Sequence, residues 1–81
     1  MSQLEQAVDR FAHCRAVVLK AINKRPGMTY VQIRKYVTWH FHFTMENVGA
    51  RCRELYTLGY AEKQVNDKGR VHVYPVKEVS V

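Results

Sequence analysis

Thr44-Met45-Glu46-Asn47-Val48-Gly49-Ala50-Arg51-Cys52-Arg53-Glu54-Leu55-Tyr56-Thr57-Leu58-Gly59-Tyr60 is the stretch on which the reading of this chain turns. Val48, Cys52 and Leu55 recur at three- and four-residue spacing, which is the period of one buried stripe on a helix. Thr44 reads as an N-cap, and Phe43 before it with Val48 four residues beyond form a hydrophobic staple. Gly59 stands where a helix ends in the left-handed conformation. The stretch therefore predicts a helix over 44–58. Glu46, Asn47, Gly49, Ala50, Arg53, Glu54 and Thr57 lie on its outward arc, with Arg51 at the border.

On the C-terminal side, residues 60–65 and 70–75 read as two short strands around Asn66-Asp67-Lys68-Gly69, a turn-forming connection that ends in glycine. Val71 and Val73 alternate with Arg70, His72 and Tyr74, so one face is apolar. On the N-terminal side, Thr29 and Gln32 form a capping box that opens a helix over 29–38. Ile33 and Val37, with Tyr30 or Tyr36, face inward, and Arg34 and Lys35 face outward. Thr38 to Phe43 reads as the turn between two helices, held down by some of its rings. Residues 2–24 read as one long helix or two short ones, opened by a second capping box at Ser2 and Glu5. Their stripe runs Leu4, Ala7, Val8, Phe11, Cys14, Val18, Ala21 and Ile22, and Pro26-Gly27 stops it.

Eighty-one residues are one domain's worth of chain. The expected division is a helical extension over 1–13, a helical core over 14–58, a hairpin over 59–76 and a tail over 77–81. Thirteen Lys and Arg against seven Asp and Glu give a net charge of +6. The excess is uneven, because no acidic residue lies between Arg10 and Met45. Such an imbalance bears on partners rather than on fold, and the common partner is a polyanion. The apolar runs are too short to cross a membrane, which takes about 20 residues. The first residues lack the basic and apolar regions of a secretion signal, so the expected location is the cytoplasm. There Cys14 and Cys52, both at apolar helical positions, read as small buried hydrophobes rather than a disulfide.

The order of elements is long helix, short helix, turn, helix ending in Leu58-Gly59-Tyr60, and hairpin with a basic tip. Over about residues 14–76 this resembles the winged helix-turn-helix superfamily, and among its small members it is similar to phage-encoded and bacterial transcriptional regulators. One departure is the turn before the third helix, which is longer and more aromatic than the superfamily's pattern. The resemblance implies an α+β fold: a three-helix core with a C-terminal two-stranded hairpin as wing, here with an extended N-terminal helix. It also implies sequence-specific binding of double-stranded DNA, with helix 44–58 in the major groove and the wing on the flanking backbone. The alternative is a winged helix used only for protein–protein contact, since fold does not fix function.

The groove sets its own demands. It admits a helix that is apolar on the side that is held and carries short polar or cationic groups on the other. Arg51 and Arg53 suit guanine or phosphate, Asn47 suits adenine, and Glu46 suits cytosine or the positive end of its own helix. Thr44, Ala50 and Thr57 complete the candidate reading face. Gly49 and Ala50 are small where a backbone would have to come close to something. Arg34 and Lys35 suit phosphates that fix register, and Lys68 and Arg70 suit the flanking backbone or minor groove. Trp39, His40, Phe41 and His42 are open to three readings: core, DNA contact or protein contact. The histidines and cysteines lack metal-ligand spacing, and no carboxylate pair stands near a histidine or nucleophile. The chain is therefore expected to be no enzyme, and to need neither cofactor nor small-molecule substrate. Leu4, Val8 and Phe11 form an apolar stripe that a monomer would leave exposed, so a homodimer through the N-terminal helix is expected.

Overall fold

The computed structural model describes residues 11–76. Three helices and a three-stranded antiparallel sheet make an α+β fold. Helix α1 spans Ala12–Lys24, strand β1 Met28–Thr29, helix α2 Tyr30–Phe41, helix α3 Val48–Leu58, strand β2 Ala61–Val65 and strand β3 Val71–Pro75. The sheet order is β1-β3-β2, so the last strand of the chain lies in the middle. Leu4 and Val8, and with them the extended N-terminal helix, lie outside the described residues.

Each helix contributes its apolar stripe to one core. Val18, Ala21 and Ile22 come from α1, Ile33 and Val37 from α2, and Val48, Cys52 and Leu55 from α3. Met28, Ala61 and Val73 close it from the sheet side. No polar side chain is buried among the described residues, so burial of apolar surface holds the fold at about 25 cal/mol per Å². Burial keeps the Cys52 thiol protonated and pushes its pKa up to about 12. Both cysteines are free.

The structure corrects the expected elements in three places. The hairpin is not alone, because β1 adds a third strand: Met28 pairs with Val73 and Thr29 with His72. The turn that feeds β1 depends on Gly27, whose φ is +87° and whose missing Cβ would stand 3.1 Å from the Tyr74 hydroxyl. Its N–H donates to the Val73 carbonyl at 2.8 Å. A side chain there meets both backbone strain and the tyrosine.

The second correction is that α2 runs past residue 38 through Trp39, His40 and Phe41. Thr38 to Phe41, the first part of the segment read as an aromatic turn, form the last turn of the helix. Tyr36 and His40, four residues apart, stack with ring centroids at 4.1 Å, a spacing that makes helical neighbours of the two. His42 ends the helix in the left-handed region, φ +53° and ψ +39°, where glycine or asparagine is the usual occupant.

The third concerns the start of α3. Thr44 is an exposed residue of the connection, and the cap is Asn47, whose Oδ1 accepts from the Ala50 N–H at 3.0 Å. Met45 explains the shift: it is buried with the core, and an extended connection that turns Met45 inward delays the helix until Asn47. Asparagine caps at least as well as threonine. The expected staple of Phe43 and Val48 loses its positions with the cap, and Phe43 instead meets His13 edge-on at 5.3 Å. Two expectations hold: Thr29 and Gln32 form the capping box at α2, and Gly59 ends α3 with φ +84°.

Candidate nucleic-acid interface

With Val48, Cys52 and Leu55 turned inward, α3 presents Ala50, Arg53 and Thr57 outward. Arg53 and Thr57 are exposed, and the Thr57 hydroxyl donates to the Arg53 carbonyl at 3.1 Å. Gly49 faces the Tyr30 ring, and a Cβ added to it would stand at ordinary contact distance, 3.5 Å from Arg53 and 3.8 Å from the ring. Packing within the protein therefore does not demand glycine at this position.

The flank of α3 next to α1 carries an ionic cluster. Glu54 receives Arg15 Nη1 at 3.1 Å and Arg51 Nη2 at 3.0 Å. Arg51 Nε lies 2.9 Å from Glu54 Oε1 but off the hydrogen-bond line. The Arg51 guanidinium also covers the Phe11 ring at 3.7 Å from its centroid. Its side chain is only 12% exposed, so Arg51 belongs to the scaffold, unlike its neighbour Arg53. Phe11 is thereby half-buried against its own domain, where with Arg15, Ala50, Thr57 and Leu58 it lines a shallow apolar groove beside α3. Glu46 is exposed and precedes the cap rather than lying in the helix. Asn47 is exposed, but its carbonyl oxygen is held by the cap.

The opposite flank of α3 meets the start of α2. The hydroxyls of Tyr30 and Tyr56 lie 3.0 Å apart. Burial, and then that hydrogen bond, push the Tyr56 phenol well above its ordinary pKa, so it stays a neutral hydrogen-bonding group. The first turn of α2 in turn borders the hairpin tip: Thr29, Tyr30, Val31 and Gln32 line one cleft with Gly69, Arg70 and Val71.

The hairpin tip is held from within by Asn66. Its Oδ1 accepts from the Lys68 and Arg70 N–H groups, each at 2.9 Å. The backbone closes the same turn, with Asn66 N donating to Arg70 O and Gly69 N to Asn66 O, also at 2.9 Å. His72 braces the base: its Nδ1 donates to the Gly27 carbonyl at 2.8 Å, leaving Nε2 to accept from Asn66 Nδ2 at 3.2 Å. The backbone at Lys68 and Arg70 is thus fixed while both side chains remain exposed. Sequence reasoning named the two cations and missed Asn66 and His72. The Asn at the head of the turn was the signal for the first; nothing local pointed to the second, whose carbonyl partner is 45 residues away.

Of the expected contact residues, Arg53, Thr57, Ala50, Lys68 and Arg70 lie on α3 and the hairpin tip, bridged by the first turn of α2. Arg34 and Lys35 are exposed on the outside of α2. No group of three or more His, Cys, Asp or Glu among the described residues is placed to hold a metal ion, and no helix among them is long and apolar enough to cross a membrane. Compared with known proteins, the chain matches no family model, no curated protein and no solved structure.

Proposed function

We propose that this chain is a winged helix-turn-helix module that binds double-stranded DNA. Helix α3 enters the major groove, and the β2–β3 tip, as the wing, rests on the flanking backbone. The supporting observation is the run of surface from Arg53 and Gly49 on α3, across the Tyr30 turn of α2, to Arg70 at the tip. That surface carries exposed cations at both ends, and a glycine that internal packing does not require. Its layout, three helices followed by a hairpin, is compatible with such a domain.

Arg53 is the base-reading side chain, since Arg51 is spent on Glu54 and Phe11. Thr57 and Ala50 set how close the helix comes. Arg34, Lys68 and Arg70 neutralise phosphates. Repression or activation of transcription is the role that this reading assigns to the module.

Selection of a bound site from random duplexes, followed by a salt titration, tests this reading. With four to six phosphates neutralised, the slope of log affinity against log salt is about −4 to −5. Arg53→Ala is expected to cost about 1–3 kcal/mol on the selected site and little elsewhere. Lys68→Ala with Arg70→Ala is expected to weaken every duplex alike and to lower the slope. A flat salt response, or the absence of any enriched site, defeats the proposal.

A further inference from the structure

The outer face of α2 carries a second surface, centred on Trp39, that meets the proposed DNA face only at Arg34 and Val31. Trp39 is 79% exposed and Val31, two turns earlier on the same side, is 63% exposed. At 1.5 Å per residue the two stand about 12 Å apart along the helix. Lys35 lies between them, and the Val31, Trp39, Arg34, Lys35 and Thr38 side chains line one groove. On the other side of the indole, Arg25 and His40 border a second groove that also reaches Lys35. Isolated apolar residues on a surface need no explanation, but a tryptophan and a valine sharing a cationic groove form a patch. Exposed tryptophan ringed by polar groups is the usual centre of an interface.

The flank matters. Tyr30, which meets α3, and Trp39 are nine residues apart, which at about 100° per residue puts them on opposite sides of α2. Trp39 therefore points away from α3 and its outward face.

Charge selects the occupant. No acidic residue lies between Arg10 and Met45, and the ion pairs between described residues converge on Glu54. Arg25, Arg34 and Lys35 have no carboxylate partner among those residues. A second copy of the chain would set this cationic patch against itself, which costs rather than gains. An unstacked base would use the Trp39 ring but not Val31, which offers neither a stacking plane nor a phosphate contact. An amphipathic helix uses both: apolar side chains three and four residues apart seat on Val31 and Trp39, while flanking carboxylates meet the cations.

We infer that the Val31–Lys35–Trp39 face of α2 is a docking surface for an acidic, amphipathic helical segment of a partner protein. It would join the module to that partner through a face centred on Trp39, on the side of α2 away from α3. The inference stands on the exposure of Val31 and Trp39 and the cations around them, and does not depend on the DNA reading.

Trp39 is the one tryptophan in the chain, so its fluorescence reports on this patch alone. A displayed library of random peptides about 16 residues long, long enough for four helical turns, is panned on the full chain and counter-panned on Trp39→Ala. The expected survivors carry Leu, Phe or Ile at three- and four-residue spacing among Asp and Glu. Their synthetic forms shift Trp39 emission to the blue, and Val31→Ser and Lys35→Gln each weaken them at least about tenfold, as does Trp39→Ala. Trp39→Ala leaves duplex affinity within about twofold. Survivors that bind Trp39→Ala equally, that lack acidic residues, or that fail to appear at all overturn the inference. So does quenching of Trp39 by oligothymidine in place of peptide, which would assign the ring to single strands. Burial of Trp39 by duplex DNA overturns it as well, because the patch would then belong to the DNA face.

Discussion

Helices α2 and α3 are 12 and 11 residues long, and both open on a side-chain cap, Thr29 in one and Asn47 in the other. Both bury an apolar stripe in the same core. Their outer faces differ. On α3 the charged groups nearest the core edge are tied up, Arg51 and, from α1, Arg15 to Glu54, and what remains outward is short apart from Arg53 and Leu58. On α2 the outward residues include Val31, Lys35 and Trp39, large groups, and Lys35 has no carboxylate partner among the described residues. Two helices of the same build thus present a small, braced surface on one side of the molecule and a bulky, unpartnered one on the other. Exposure alone does not mark a contact residue; what separates Arg53 from Arg51 is whether the guanidinium already has partners.

The inner and outer faces can be set against each other first by truncation. Leu55→Ala removes a side chain that is 2% exposed at the centre of the core and is expected to lower stability by about 2–5 kcal/mol. Trp39→Ala, on the outer face of α2, is expected to stay within about 0.5 kcal/mol. Urea denaturation followed by far-UV circular dichroism reads both. A large loss from Trp39→Ala would mean the ring is structural after all.

A second difference lies within the buried stripes, because α3 hides a titratable group and α2 does not. Unfolded, the Cys52 thiol ionises near its ordinary 9.0; folded, it keeps its proton up to about 12. Between these values the native state holds more protons than the unfolded chain. Stability therefore falls as pH rises through that window, by at most about 1.4 kcal/mol per pH unit. The Tyr56 phenol, also pushed up, adds in the same direction. Denaturation midpoints measured from pH 8 to pH 11 are expected to fall, and Cys52→Ala, though less stable at pH 8, is expected to show a flatter decline. An equal decline in the variant would place the titration elsewhere.

The ionic brace is smaller. Glu54→Gln breaks its pairs with Arg15 and Arg51 and is expected to cost about 1 kcal/mol or less, since the carboxylate is partly solvated. The same change removes negative charge beside Arg53, so affinity for duplex DNA is expected to rise while stability falls. Melting curves and binding isotherms on one sample separate the two effects. A parallel loss of both would mean that the brace positions the reading face.

The smallest effect lies where α2 ends. His42 holds a left-handed backbone, and His42→Gly relieves that strain at some entropic cost, for a net gain of about 0.5–1 kcal/mol. A loss of stability would show that the imidazole makes contacts worth more than the strain it imposes.

The α3 stripe of Val48, Cys52 and Leu55, its glycine stop, the Thr29 box and the hairpin were legible in the sequence. Each depends on residues within one turn or one short loop of one another, so local spacing carries the information. The helix starts and ends were less legible. Asn47 rather than Thr44 caps α3 because Met45 found a place in the core, and α2 continues through Trp39 because Tyr36 stacks on His40. Neither outcome can be read from cap preference alone.

The candidate site divides the same way. Composition and spacing named Arg53, Lys68 and Arg70, all of which the fold leaves exposed. The division of labour between Arg51 and Arg53 required Arg15 and Phe11 to arrive from α1, about 40 residues away in sequence. The third strand and the brace at His72 required residues 27–29 to meet residues 72 and 73. Sequence determined which stretches are helical, which side of each is apolar, and that the chain is cationic. Tertiary structure decided which cations are spent and which are free. An ion pair or strand pairing across 40 residues depends on where two elements are brought together by packing, and that is a property of the whole core rather than of either segment.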